Sequence, residues 1–123
     1  MKALAVIVGA LILAGTLERA DAHRTPSDPP PKVEHAIRLA STTYGMPYGE
    51  AVRVAYCESR WNARAKNPRS TATGLMQFLD STWARTPYAR LDRRDPYANA
   101  LAAGWLWRAN GGSWREWSCA WAA

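Results

Sequence analysis

Two short stretches carry side chains able to do chemistry. Cys57-Glu58-Ser59-Arg60-Trp61 closes a helix-like run with a carboxyl beside a thiol. About fifteen residues later, Gly74-Leu75-Met76-Gln77-Phe78 sets an amide among apolar side chains. One carboxyl in an aromatic, partly apolar setting is the least equipment that can protonate a glycosidic oxygen. No second acid is obviously placed for a two-carboxylate glycosidase. Taken alone, Glu58 reads as a surface acid paired with Arg60 or Arg64, because most acids are solvated. The stretches around it reverse that reading. His23 and His35 have no partner pattern, so no metal ligand and no cofactor is predicted.

The elements that must position these residues follow from spacing. Lys32 begins a helix in which Val33, Ala36, Ile37 and Ala40 recur every three or four residues. It ends near Tyr44-Gly45, where glycine supplies a C-cap. Pro47 restarts the chain, and residues 48–58 read as a second helix. Val52, Ala55, Tyr56 and Ser59 share one side, and Ala51, Val54 and Glu58 the neighbouring stripe. Glu58 then lies near a helix C-terminus, where the macrodipole opposes negative charge. Burial against Tyr or Trp acts in the same direction, and both favour the protonated carboxyl.

Residues 62–73, with Asn67-Pro68 and Ser70, keep no periodicity and read as a loop or short hairpin walling a cleft. Gly74 allows a close backbone approach. Residues 75–83 resume helical character, or else Asp80-Ser81 caps a new turn carrying Trp83. Asp95-Pro96 is a strong helix start, an N-cap followed by proline. Ala98, Leu101, Ala102, Trp105 and Ala109 mark that helix's buried face, and Asn110-Gly111-Gly112 stops it. The tail, residues 113–123, packs Trp114, Trp117 and Trp121 around Cys119. Trp83 and Trp105 are assigned to the core, and Trp61 or Trp107 to the cleft. The chain is mainly α.

Residues 1–22 have the anatomy of a secretory signal peptide: Met1-Lys2, an apolar run and an Ala20-Asp21-Ala22 cleavage box. The apolar run falls short of the roughly 20 residues a membrane span needs, so no stable membrane insertion is expected after cleavage. Residues 23–31 are a proline-rich linker and 32–123 the folded domain. In an oxidising compartment Cys57 and Cys119 are expected to pair. Their bridge would be worth on the order of 3–4 kcal/mol in the chain-entropy model. The net charge of +6 fits an anionic partner such as a wall polymer, a membrane surface or nucleic acid.

Glu58-Ser59 at a helix end, then Gly74-Leu75-Met76-Gln77, then Asp95-Pro96 with Asn99 and Gly104, resembles the lytic transglycosylase SLT domain of the lysozyme-like superfamily. Cys57-Glu58-Ser59, Thr82-Trp83 and the closing Trp114-Arg115-Glu116-Trp117-Ser118-Cys119 also resemble resuscitation-promoting-factor domains. The resemblance implies a small lysozyme-like helical fold. It also implies cleavage of the β-1,4 bond between N-acetylmuramic acid and N-acetylglucosamine in peptidoglycan. The partner is then the glycan strand rather than nucleic acid, and the chain acts as a secreted, periplasmic or wall-associated monomer.

The single catalytic glutamate of the family maps onto Glu58, which protonates the leaving oxygen and then deprotonates the muramoyl 6-hydroxyl, giving a 1,6-anhydro product. Ser59 maps onto a serine that hydrogen-bonds near the acid. Gln77 maps onto a substrate contact, Met76 lines the same cleft, and Asn99 braces the site. The family's Ala-Tyr-Asn segment has no clear equivalent, so Tyr88 or one of the tail tryptophans is expected to supply that wall. Two other readings use the same fold. One is a hydrolytic muramidase in which Asp80, Asp92 or Glu116 orients a water. The other is a wall-binding module without turnover.

Overall fold

The structure, a computed structural model, describes residues 28–123; the expected signal peptide and most of the expected linker lie outside them. Four α-helices occur in the described residues: α1 (Pro31–Tyr44), α2 (Tyr48–Ser59), α3 (Asp80–Ala84) and α4 (Pro96–Ala109). A 3₁₀ turn, Ala120–Ala122, ends the chain. No β-ladder forms among the described residues, only two isolated antiparallel bridges, Lys66–Thr73 and Thr73–Phe78.

α1 buries Val33, Ala36, Ile37 and Ala40, the stripe its spacing predicts, and Gly45 caps it in the left-handed conformation. Pro31, assigned by sequence to the linker, is its first helical residue, where a missing N–H costs nothing. α2 buries Ala51, Val54, Ala55 and Ser59. Its end is abrupt. Arg60 and Trp61 both take positive φ, 55° and 59°, and the Trp61 indole donates to Val52 O at 3.0 Å.

α4 is the central helix. Asp95 accepts from the Tyr97 amide at its start, as Asp95-Pro96 foretells. Its buried residues do not form the single face expected, however. Ala98, Asn99, Ala100, Ala102, Ala103, Gly104 and Leu106 are buried, Leu101 and Trp105 are half-buried, and Ala109 is exposed. Small side chains on every side let neighbours close in around the whole helix. α1 makes the broadest of these contacts. At Gly104 an added Cβ would lie 2.7 Å from the Tyr44 ring.

Residues 74–83 depart most from expectation. Residues 74–77 form a tight turn rather than a helix, closed by Thr73 N to Phe78 O (3.0 Å) and Phe78 N to Thr73 O (3.1 Å). A new helical turn does start at Asp80 and carries buried Trp83, but Asp80 is its first helical residue and not its cap; the N-cap is Leu79, which makes no side-chain cap bond. The turn hangs on Asn99, which is fully buried. Asn99 Oδ1 accepts from Met76 N at 2.8 Å, and its Nδ2 donates to Arg93 O at 2.8 Å. A Cβ at Gly74 (φ 89°) would meet Asn99 Nδ2 at 2.3 Å and Arg93 O at 2.5 Å, so only glycine admits this approach.

The tail crosses back over the turn. Trp114, Trp117, Phe78 and Trp83 form a chain of edge-to-face contacts at 5.0, 6.2 and 5.5 Å. Trp117 Nε1 donates to Met76 O at 3.1 Å, and the Cys57–Cys119 bridge joins the tail to α2. Trp121, expected in this cluster, is 81% exposed, because the 3₁₀ turn carries it past the cysteine.

Removing the Asn99 amide takes their partner from a buried N–H, that of Met76, and a half-buried C=O, that of Arg93. Asn99→Ala is expected to cost about 2–4 kcal/mol, read as a lower midpoint in urea unfolding. A midpoint matching that of the wild type would show that the turn does not depend on this side chain.

Candidate active site

Glu58 is the penultimate residue of α2, and its half-buried side chain faces a cleft of about 500 Å³. Cys57 and Glu58 form one wall. Asn67, Ser70 and Ala72 of the loop after α2 contribute a second, the cleft wall expected of that loop. Gln77, Phe78 and Leu79 arrive from the turn and Thr82 from α3. Leu106 of α4 and residues 116–119 of the tail complete the lining. Apolar groups therefore sit beside polar ones around the acid.

Burial pushes the Glu58 carboxyl above its ordinary range. Two donors from the tail pull the other way but do not overcome it: the Ser118 hydroxyl and the Cys119 backbone N–H. The Ser118 Oγ lies 2.7 Å from Glu58 Oε1 and 3.4 Å from Oε2. The helix C-terminus adds its own penalty on negative charge. Glu116 is the other titratable residue of the lining. It bonds to Asn110 Nδ2 and lies 3.5 Å from Arg85 Nη2.

The residues singled out by sequence are not all brought together. Gln77 lines the cleft. Its backbone has positive φ, 53°, and its Nε2 donates to Ala65 O (3.1 Å) and Gly74 O (2.9 Å). With both amide hydrogens committed, its carbonyl oxygen is the group it can offer a ligand. Ser59 is buried and donates to Ala55 O at 3.1 Å, away from the cleft. The serine bonded to Glu58 is Ser118. Met76 is buried beneath the turn and meets the tail through its carbonyl. Tyr88 hydrogen-bonds to the Tyr44 hydroxyl. Burial and that bond push its phenol up to about 12. It is not part of the cleft lining, and the tryptophan found there is Trp117.

Trp61 and Trp107, assigned by sequence to the cleft, also lie elsewhere. Trp61 shares a shallow groove with Pro29, Pro30, Tyr56 and Arg60, and Trp107 packs over Gly112. Of the three acids considered for orienting water, Asp80 pairs with Arg93 at 2.7 Å and Asp92 with Arg94 at 3.1 Å. Only Glu116 reaches the cleft.

Ser118 is the residue that sequence reasoning passed over. The signal was present: the bridge between Cys57 and Cys119 makes the residue after the first cysteine a neighbour of the residue before the second. Among the described residues no group of three or more His, Cys, Asp or Glu side chains is placed to hold a metal ion. No helix among them is long and apolar enough to cross a membrane.

Comparison with known proteins identifies a family. The family model described as the transglycosylase SLT domain matches residues 35–123, a span that includes Glu58, Gln77, Asn99 and both cysteines. No curated protein and no solved structure gives a significant match. With the match covering well over half of the sequence, the chain belongs to the transglycosylase SLT family, a family of peptidoglycan lytic transglycosylases.

Proposed function

We propose that this chain is an exported lytic transglycosylase that cuts the β-1,4 bond between N-acetylmuramic acid and N-acetylglucosamine, with Glu58 as acid and then base. The observation that carries the reading is a half-buried Glu58 in a cleft, its carboxyl biased towards the protonated form. A proton on Glu58 passes to the glycosidic oxygen as the bond to the anomeric carbon breaks. The Glu58 carboxylate then takes the proton of the muramoyl 6-hydroxyl, whose oxygen closes on that carbon. The proton is back on Glu58, and the product is a 1,6-anhydro sugar. One group acting twice works best with a pKa near the working pH, and desolvation moves Glu58 in that direction.

Gln77 is assigned to substrate through its carbonyl oxygen, and Asn99 to support of the turn. The positions of Ser59, Met76 and Tyr88 give them packing roles in this reading. Export is supported by the pattern of residues 1–22 and by a bridge of a kind that persists in oxidising compartments. The hydrolytic alternative keeps one supporting observation: Glu116 lines the same cleft.

Mass spectrometry of peptidoglycan digested by the mature domain tests the reading. Muropeptides one water lighter than hydrolysis products are expected, with release falling by about 10²-fold or more in Glu58→Gln. Ordinary reducing muropeptides would make the enzyme a hydrolase and turn attention to Glu116. Glycan binding without release by the wild type would leave a wall-binding module.

Stability should report the same carboxyl. The folded-state pKa of Glu58 is raised above 4.5, so its contribution is fully present below that value and is lost as pH rises through the folded pKa. The melting temperature of Glu58→Gln relative to wild type is therefore expected to climb from acid towards neutral pH. A difference constant with pH would mean that the carboxyl pays no desolvation cost.

A further inference from the structure

We propose that Ser118 is the positioning residue for Glu58, holding its carboxyl in one orientation through both of its protonation states. This rests on Glu58 being the acid of the functional reading above.

The geometry is specific. Ser118 Oγ approaches one carboxyl oxygen at 2.7 Å and the other at 3.4 Å, so the two oxygens are not equivalent. Oε1 is held more closely by the tail, and Oε2, at the longer distance, is assigned the proton exchanged with substrate. The Cys119 backbone N–H also favours the ionised carboxyl. The Ser118 hydroxyl donates to Oε1 when Glu58 is a carboxylate and also when the proton sits on Oε2 and Oε1 is the carbonyl oxygen of the neutral acid. The same bond therefore holds the group as an acid in one step and as a base in the next.

The hydroxyl itself is held in place. Cys119 is bridged to Cys57, the residue before Glu58. On the other side, Trp117 is buried and bonded to Met76 O. Ser118 thus stands between two anchors, with its side chain bonded to Glu58.

Few charges compete for this carboxyl. From the tail, Glu116 lines the cleft with Arg85 3.5 Å away. On α2, Glu50 accepts from the Trp114 indole and Arg53 donates to Ala122 O. Just beyond α2, the Arg60 guanidinium lies over the Tyr56 ring. The turn contributes neutral Gln77.

The test compares wild type, Ser118→Ala and Ser118→Thr by two readouts. The first is an NMR titration of the Glu58 side-chain carboxyl carbon. The second is the pH profile of muropeptide release, with kcat and KM separated. In Ser118→Ala the Glu58 midpoint should rise, because the ionised form loses a donor. kcat should fall on the order of tenfold to a hundredfold with KM little changed. Ser118→Thr, which keeps the hydroxyl, should restore both.

An unshifted Glu58 midpoint in Ser118→Ala, or a Ser118→Thr variant as impaired as Ser118→Ala, would overturn the proposal. The titration needs no turnover. A wild-type protein that releases nothing would sink the functional reading while leaving the effect of Ser118 on Glu58 measurable.

Discussion

The side-chain amide of Asn99 settles how the cleft is built. A turn that folds back against a central helix brings backbone groups inside with no helical or sheet partner, and each must be bonded or paid for. Asn99 offers an acceptor to Met76 N and donors towards the loop before α4. Gly74 then has to be glycine, because the amide lies where any Cβ would stand. From that anchor come Gln77, Phe78 and Leu79 at the mouth of the cleft, and from Phe78 the aromatic chain that supports the tail. Arg93 completes the clamp by donating to Phe78 O and pairing with Asp80.

Glu58 sits in a balance of opposed effects. Desolvation and the helix C-terminus favour the neutral acid, while two donors from residues 118 and 119 favour the anion. A deeper site would keep the proton permanently, and an open one would surrender it. The intermediate exposure of Glu58 suits the proposed role, in which one group both gives and takes a proton. Such a chemistry asks the scaffold mainly for orientation, and the donors of residues 118 and 119 are placed to supply it.

Much of this could be read in the sequence where local rules govern. The stripe of α1, the Gly45 cap, the Asp95-Pro96 start and the Gly111-Gly112 stop depend on neighbours within one turn, and they appear as the spacing predicts. The reading slipped where contacts over long sequence distances decide. Residues 75–83 have helix-like apolar spacing, yet the Thr73–Phe78 pairing and the positive φ of Gln77 impose a turn. The family resemblance assigned Ser59 a hydrogen bond near Glu58, but on a helix adjacent side chains diverge and Ser59 bonds Ala55 O instead. The tryptophans were the least legible, since outside a helix nothing in their spacing separates buried Trp114 from exposed Trp121.

The position of the disulfide has a bearing on biosynthesis. The bridge joins the residue before Glu58 to the residue after Ser118, two side chains 60 positions apart in the chain. In a newly made, reduced polypeptide the acid and its hydroxyl partner belong to segments held together by non-covalent contacts alone. On the proposed role of Glu58, closing the bridge is an assembly step for the site as well as for the fold, and its chemistry belongs to oxidising compartments. On the proposed function, the wall-cutting site and the covalent bond that completes it would both be finished on the side of the membrane where the wall lies.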